Sequence, residues 1–297
     1  MTGFSRICLI GFGEVGQILA DDLTAAGVTD ISVYDIKFPD PHSIPSKALT
    51  GRNVRAATSA AEAARDRDLI LCAVTAASDL DAAASVVPGL VPGKYYADLN
   101  SASPGTKRKA ASLIESAGGR YVEAAVMTPF PPKRIASPTL LGGPHAEVFH
   151  RLAAPLGFKT TVFSAELGRA SATKMCRSVI IKGIEALLVE AMLTARHYGV
   201  EGPVLTSLSD LLPVGDWEKL ARYMISRSLE HGVRRAEEMR EVAETVREAG
   251  VAPWMSSAAA DRQDWAARHK SAAAETELGA LLDHVLRSMK TTGEERP

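Results

Sequence analysis

The feature that most constrains this chain is a glycine-rich turn close to its N-terminus. Residues 11–16 read G-F-G-E-V-G and match the pattern G-x-G-x-x-G. The turn follows an apolar segment, Ile7–Ile10, and leads into a helical pattern over 17–20. A strand, such a turn and a helix in this order are typical of a dinucleotide-binding unit, in which the pyrophosphate meets the helix N-terminus. The residues predicted to bind the cofactor here are Gly11, Phe12, Gly13, Glu14, Val15 and Gly16.

An acidic residue downstream of the turn predicts which dinucleotide binds. Asp35 ends the next apolar segment, 19 residues after Gly16. Its carboxylate can accept hydrogen bonds from both hydroxyls of an adenosine ribose and would repel a 2′-phosphate, which favours NAD over NADP. Lys37 lies two residues further on and could attract that phosphate, so NADP stays open as a cofactor.

Alternating segments predict the fold of the first half of the chain. Short apolar runs alternate with helical patterns up to about Phe163, which indicates an α/β Rossmann domain: a doubly wound, mostly parallel sheet with helices on both faces. The predicted strands are Ile7–Ile10, Ile31–Tyr34, Val54–Ala57, Leu69–Val74, Tyr95–Leu99, Tyr121–Ala125 and Thr139–Leu141. Val74 and Thr75, after the fourth strand, and Asn100, after the fifth, are predicted to line the cofactor crevice.

The second half of the chain carries only helical patterns. From Gly168 to His197 there is no proline, and Gly199 stands where a helix would end, which predicts one helix of about 30 residues. Later apolar residues recur at spacings of three and four. We therefore predict a dinucleotide-binding domain over 1–164 and an all-α substrate and dimerisation domain over 165–297, entered by this long interdomain helix.

Composition and charge exclude several classes of protein. Lys+Arg number 34 against 35 Asp+Glu, which leaves no positive excess to hold a nucleic acid or an anionic membrane. The longest apolar run, Leu69–Ala77, is far shorter than the roughly 20 residues of a membrane-spanning helix. The histidines show no metal-ligand spacing, and the three cysteines lie in apolar segments without a CxxC pattern. We expect a cytoplasmic protein with a small-molecule substrate, no metal, and no nucleic-acid or membrane partner.

Four segments resemble, in order and spacing, the motifs of the β-hydroxyacid dehydrogenases. This family includes 3-hydroxyisobutyrate dehydrogenase and, more distantly, 6-phosphogluconate dehydrogenase, and the chain is most similar to the 6-phosphogluconate dehydrogenase-like branch. The resemblance covers nearly the whole chain and implies a Rossmann domain followed by an all-helical domain. The segments are the glycine-rich turn, Asp98–Pro104, Glu123–Val126 leading to Leu140–Gly143, and Gly168–Lys174.

The resemblance implies that Lys174 is the general acid/base and that Ser101, with its neighbour Ala102, contacts substrate. The chemistry of the residues agrees, because oxidation of an alcohol needs a base for the hydroxyl proton and a lysine shielded from water releases its own proton more readily. On spacing alone, Lys174 could equally be a solvated helix residue. We expect hydride transfer between NAD(P) and the carbinol carbon of a small β-hydroxy acid or a related alcohol.

The third motif departs from the family pattern. It usually continues into Ser-Gly-Gly, whose polar groups bind the substrate carboxylate, whereas this chain continues with Met127 and Thr128. Pro129 follows and has no N–H to donate. We predict that Met127 and Thr128 contact substrate at a rebuilt site, with an apolar wall supplied by Met127 and Phe130.

A second departure lies on the long helix. The family usually has Asn three residues after the lysine, where this chain has Arg177. We predict that Arg177 binds an anionic group of the substrate. The alternative is a structural ion pair with a carboxylate such as Glu166 or Glu185, since an unpaired buried arginine is rare.

Two other functions remain as alternatives. Imine reductases have a similar fold, but those relatives usually carry Asp or Tyr in place of Lys174. A non-catalytic dinucleotide sensor would explain the missing Ser-Gly-Gly but not the lysine. We further expect a homodimer held by the helical domain, whose helices carry more apolar surface than one small bundle covers.

Overall fold

The structure is a computed structural model that describes residues 3–211 and 215–291. It divides into two compact units, Met1–Met175 and Cys176–Pro297. The sequence predicts a boundary after residue 164, whereas the structure divides after Met175. The difference arises because hydrogen bonds to Glu123 and Ser101 attach the first turns of the long helix to the N-terminal unit.

The N-terminal unit contains one eight-stranded sheet in the order β3-β2-β1-β4-β5-β6-β7-β8. All neighbouring strands are parallel except β6 and β7. The predicted Rossmann fold class is therefore confirmed. The strands are β1 Arg6–Ile10, β2 Asp30–Tyr34, β3 Arg55–Ala56, β4 Leu69–Cys72, β5 Tyr95–Asp98, β6 Arg120–Val126, β7 Thr139–Gly142 and β8 Thr160–Ser164.

Helices connect these strands, and apolar side chains fill both faces of the sheet. In β1, Ile7 and Leu9 belong to one buried cluster, whereas Cys8 and Ile10 belong to a second. A strand buried on both faces must be apolar throughout, which explains the uninterrupted runs in the sequence. The helices are α1 Glu14–Ala25, α2 Ile44–Lys47, α3 Ala60–Ala64, α4 Asp79–Val86, α5 Pro104–Ser116 and α6 Ala146–Ala153.

The eighth strand is absent from the sequence prediction. Thr160–Ser164 lies at the edge of the sheet beside β7 and alternates between half-buried and exposed residues. Phe163 points outward and is 46% exposed. An edge strand with one solvated face lacks the apolar run that identifies the central strands.

The C-terminal unit is helical, as predicted. The long helix runs over 30 residues, and Gly199 follows it with a φ of +69°, in the left-handed conformation that favours glycine. Cys8 and Cys72 are buried, whereas Cys176 is exposed, so an apolar segment does not place this third cysteine in the core. Within the described ranges, none of the helices combines the length and apolarity needed to cross a membrane. The helices are α7 Arg169–Tyr198, α8 Glu201–Leu211, α9 Trp217–Glu248, α10 Trp254–Ala267 and α11 Leu278–Thr291.

Candidate functional site

The turn between β1 and α1 requires glycine at two positions. Gly11 has a φ of +90°, and a Cβ atom there would lie 2.3 Å from the carbonyl oxygen of Ala73. A Cβ atom on Gly16 would lie 2.1 Å from the carbonyl oxygen of Gly11. Both distances are far below van der Waals contact, so these glycines permit the close approach of turn, helix and neighbouring strand.

Gly13 has a different role, because no atom lies within 4 Å of a Cβ built on it. It stands at the N-cap of α1, where the first N–H groups of the helix, including those of Glu14 and Val15, have no partner within the helix. The Glu14 side chain is exposed. Open space in front of a helix N-terminus fits the pyrophosphate of a dinucleotide.

Asp35 follows β2 and is fixed against the glycine-rich turn. Its Oδ2 accepts a hydrogen bond from the Phe12 N–H at 2.7 Å, and its Oδ1 accepts one from the Lys37 N–H at 2.9 Å. The Phe12 ring is buried, whereas Lys37 is exposed. Each carboxylate oxygen can accept a further hydrogen bond, so the orientation fits recognition of a ribose diol.

The loops after β4 and β5 lie at the same edge of the sheet as the glycine-rich turn, because β1, β4 and β5 are parallel neighbours. Asn100 joins these two loops: its Oδ1 accepts a hydrogen bond from the Val74 N–H at 2.7 Å. Thr75 is exposed beside Val74. These residues occupy the predicted edge, and their contact with a cofactor remains a prediction.

Lys174 and Ser101, which lie 73 residues apart in the chain, meet within the N-terminal unit. The Lys174 Nζ donates a hydrogen bond to the Ser101 Oγ at 2.6 Å. Ser101 directly follows Asn100 and is partly exposed, whereas Ala102 is completely buried and could offer substrate only its backbone. A lysine beside a hydroxyl at the crevice edge has the geometry of an acid/base group next to a substrate-orienting group.

A third residue fixes the start of the helix that carries Lys174. Glu123, on β6, is completely buried, and its Oε2 accepts a hydrogen bond from the Gly168 N–H at 2.7 Å. Its Oε1 accepts one from the Ser171 N–H at 2.5 Å. A Cβ atom on Gly142 would lie 2.4 Å from Oε2, so this glycine makes room for the carboxylate. Glu123 lies in the motif Glu123–Val126, but nothing in the sequence indicates its contact with residues 45 and 48 positions further on.

The rebuilt third motif lies directly after β6. Thr128 is partly buried, and its Oγ1 is a buried atom without a hydrogen-bond partner among the described residues. A buried hydroxyl left in this state is suited to a substrate polar group. Met127 is partly buried, but Phe130 lies in the core of the unit, so an apolar wall would depend on Met127.

Arg177 is exposed on α7, three residues after Lys174. The two carboxylates considered as its structural partners both pair with other arginines, Glu166 with Arg169 and Glu185 with Arg235. These pairings do not decide the role of Arg177, and anion binding by Arg177 stays a prediction. Across residues 3–211 and 215–291, no group of three or more histidine, cysteine, aspartate or glutamate side chains is arranged to hold a metal ion.

These features define a dinucleotide-binding Rossmann unit followed by a helical unit, and comparisons with known proteins agree. Residues 6–157 match the family described as the NAD binding domain of 6-phosphogluconate dehydrogenase. Residues 195–266 match a family described as a domain of unknown function, DUF1932.

Solved structures extend the similarity to almost the full chain. A conserved hypothetical protein of Sinorhizobium meliloti is 36% identical, with 94% of this chain and 96% of that chain covered and a TM-score of 0.70. A conserved protein of unknown function, described as structurally similar to 3-hydroxyacid dehydrogenases, is 31% identical, with 88% and 97% covered and a TM-score of 0.67. The fold alone is shared with the 3-hydroxyisobutyrate dehydrogenase of Mycobacterium tuberculosis, at 19% identity, 97% and 100% coverage and a TM-score of 0.70.

The chain therefore belongs to the β-hydroxyacid dehydrogenase family, in the group with a 6-phosphogluconate dehydrogenase-like NAD-binding domain. The 3-hydroxyisobutyrate dehydrogenases among the solved structures, at 19% and 16% identity, share the fold alone.

Proposed function

We propose that this protein is an NAD-dependent dehydrogenase that oxidises the carbinol carbon of a small β-hydroxy acid, with Lys174 as the general acid/base. The observation that carries the proposal is the 2.6 Å hydrogen bond between the Lys174 Nζ and the Ser101 Oγ. It lies in the same unit as the glycine-rich turn and Asp35, next to the Asn100 loop.

Different residues of this unit are proposed to carry out proton transfer and substrate orientation. A bound nicotinamide supplies the hydride acceptor. Lys174, in its neutral form, accepts the proton of the substrate hydroxyl. Ser101 accepts a hydrogen bond from Lys174 and still has its own proton to donate, so it can orient that hydroxyl. Lys174 works from a fixed position, because Glu123 holds the first turn of α7.

Asp35 is the basis for proposing NAD as the cofactor. Its two oxygens are already oriented by backbone N–H groups, so the carboxylate cannot turn away from an incoming phosphate. A 2′-phosphate would meet this fixed negative charge, whereas a ribose diol would donate hydrogen bonds to it. The positive charge of the exposed Lys37 side chain would offset part of the repulsion between Asp35 and a 2′-phosphate. We therefore expect a preference for NAD and not complete exclusion of NADP.

Substrate recognition is proposed to involve Thr128 of the N-terminal unit, and Arg177, three residues after Lys174 on α7, is proposed separately as an anion-binding residue. The buried Thr128 hydroxyl supplies a polar contact where Ser-Gly-Gly is missing. Arg177 supplies a positive charge that suits a carboxylate. Lys174 also argues against imine reduction and against a non-catalytic sensor, since neither of those functions accounts for a lysine beside Ser101.

The experiment is a panel of β-hydroxy acids, their neutral ester counterparts and amino alcohols, tested with NAD and with NADP while reduced nicotinamide is followed by absorbance. We expect turnover of at least one hydroxy acid, a higher kcat/KM with NAD than with NADP, and a lower KM for the acid than for its ester. Turnover of imines in preference to every alcohol would contradict the proposal. Binding of the dinucleotide without turnover of any panel member would favour the sensor.

A further inference from the structure

A cluster of charged groups lies completely inside the N-terminal unit, directly beneath the crevice edge. Asp79 at the start of α4 and Asp98 at the end of β5 are 0% exposed, and Lys107 on α5 is 1% exposed. The Lys107 Nζ lies 2.6 Å from Asp98 Oδ1 and 3.7 Å from Asp79 Oδ2. Tyr121 on β6 donates a hydrogen bond from its hydroxyl to Asp98 Oδ2 at 2.6 Å.

Asn100 connects this cluster to the surface loops. Its side-chain amide donates a hydrogen bond to Asp79 Oδ1 at 2.9 Å, while its Oδ1 accepts the bond from the Val74 N–H. Its backbone N–H donates to Asp98 Oδ1 at 3.0 Å. The orientation of the amide is thus set by Asp79 Oδ1, which accepts a hydrogen bond from the amide N–H, and by the Val74 backbone N–H, which can only donate.

Burial of this cluster carries a desolvation cost that makes it a poor source of stability for the fold. Two carboxylates face one ammonium group, and Asp79 Oδ2 has no hydrogen-bond partner among the described residues. Burial, followed by the charge of Asp98, raises the pKa of Asp79 to about 7. Replacing buried ionic groups with apolar ones is often neutral or stabilising, so their presence is better explained by the orientation that they impose on Asn100.

The loops held by Asn100 lie in one half of the sheet. Asp35 and the β2 end, where an adenosine ribose is expected, lie on one side of β1, and β4 and β5 lie on the other. In a fold of two mononucleotide-binding halves, a dinucleotide crosses the carboxyl edge from the first half to the second. The Val74 and Ser101 loops are therefore positioned for the nicotinamide end.

We propose that Asp79 is a positioning residue: through Asn100 it holds the Val74 and Ser101 loops in the arrangement that receives the nicotinamide half of the dinucleotide. The inference rests on the proposed dinucleotide-dependent function. It assigns Asp79 no contact with cofactor or substrate. Replacement of Asp79 should therefore lower the affinity only for ligands that reach the β4 and β5 side of the crevice.

The test compares NAD with ADP-ribose, which lacks the nicotinamide ring, by isothermal titration of the full chain. Asp79→Ala removes the acceptor for Asn100, so we expect NAD to bind on the order of tenfold more weakly while ADP-ribose affinity changes less than about twofold. Asp79→Asn keeps an oxygen that can accept the Asn100 bond and should restore most of the NAD affinity. Asp81→Ala removes an exposed carboxylate from the same helix and is the matched control.

Equal weakening of NAD and ADP-ribose in Asp79→Ala, or no weakening of either, would overturn the inference while leaving the proposed function intact. Failure of the wild type to bind either ligand would overturn the proposed function and this inference with it. Should Asp79→Ala not fold, Asp79→Leu removes the same acceptor while filling more of the buried volume. It is expected to reproduce the selective loss, and an unselective result would again overturn the inference.

Discussion

Removal of the Glu123 carboxylate is predicted to destabilise the N-terminal unit and to loosen the start of α7. Glu123 is completely buried and accepts hydrogen bonds from the N–H groups of Gly168 and Ser171, at 2.7 and 2.5 Å. These are backbone donors at a helix N-terminus, which have no partner within the helix. Glu123→Ala would leave both of them inside the protein without an acceptor.

The size of the effect follows from these two bonds. A buried donor left without a partner costs about 1–3 kcal/mol, and loss of a negative charge at a helix N-terminus adds up to about 2 kcal/mol. Against this stands the desolvation cost that the buried carboxylate no longer incurs. We expect Glu123→Ala to lower the free energy of unfolding by about 3 kcal/mol, and Glu123→Gln by about half as much because one acceptor remains.

The measurement is urea unfolding together with hydrogen exchange of the Gly168 and Ser171 amides. Glu166→Ala is the control, because Glu166 and Arg169 form an exposed ion pair at the same helix end, a contact worth under about 1 kcal/mol. Exchange at the two amides should accelerate in Glu123→Ala and stay unchanged in Glu166→Ala. Equal stability losses in the two variants, with no change in exchange, would refute the assignment of Glu123.

Three further predictions concern the cofactor, pH and assembly. Asp35→Ala should weaken NAD binding and improve NADP binding relative to it, and titrations in which the wild type already prefers NADP would contradict this role of Asp35. Because folding raises the pKa of Asp79 from 3.8 to about 7, the folded protein retains a proton that the unfolded chain releases, so stability should fall as pH rises through this window. In urea unfolding between pH 5 and pH 7, Asp79→Asn should remove the contribution of Asp79 to the decrease in the free energy of unfolding, which is at most about 1.4 kcal/mol per pH unit. One face of α7 carries three exposed apolar side chains over a length of roughly 27 Å: Ile180, Leu187 and Tyr198, at 63%, 56% and 71% exposure. We propose that a second copy of the chain covers this face. Sedimentation of the wild type should therefore give a dimer, and a monomer at micromolar concentration would be the contrary result.

Much of the fold could be predicted from the sequence because its signals are local. The glycine-rich turn, the position of Asp35 and the span of α7 each depend on residues close together in the chain. Central strands can be recognised by their continuous apolar runs, because both faces of these strands are buried. The edge strand Thr160–Ser164 has only one buried face and gave no such signal.

The supporting contacts of the site could not be predicted in this way, because they join residues far apart in the chain. Asp79 reads as an ordinary acidic residue in the first turn of a helix, and Lys107 reads as part of the basic segment K-R-K. Only the packing of α4 and α5 against the sheet buries both beside Asp98. Glu123 likewise gains its role from helix α7, whose first turn begins more than 40 residues later.

The central claim, that Lys174 is the acid/base of a hydride-transfer reaction, is tested most directly by turnover and NAD affinity measured together in Lys174→Met. The control is Lys109→Met, which removes an exposed lysine from α5. With a substrate found in the panel, we expect Lys174→Met to lose at least about 100-fold in kcat, while the NAD dissociation constant stays within about twofold of the wild type. Near-normal turnover in Lys174→Met would contradict the proposed mechanism.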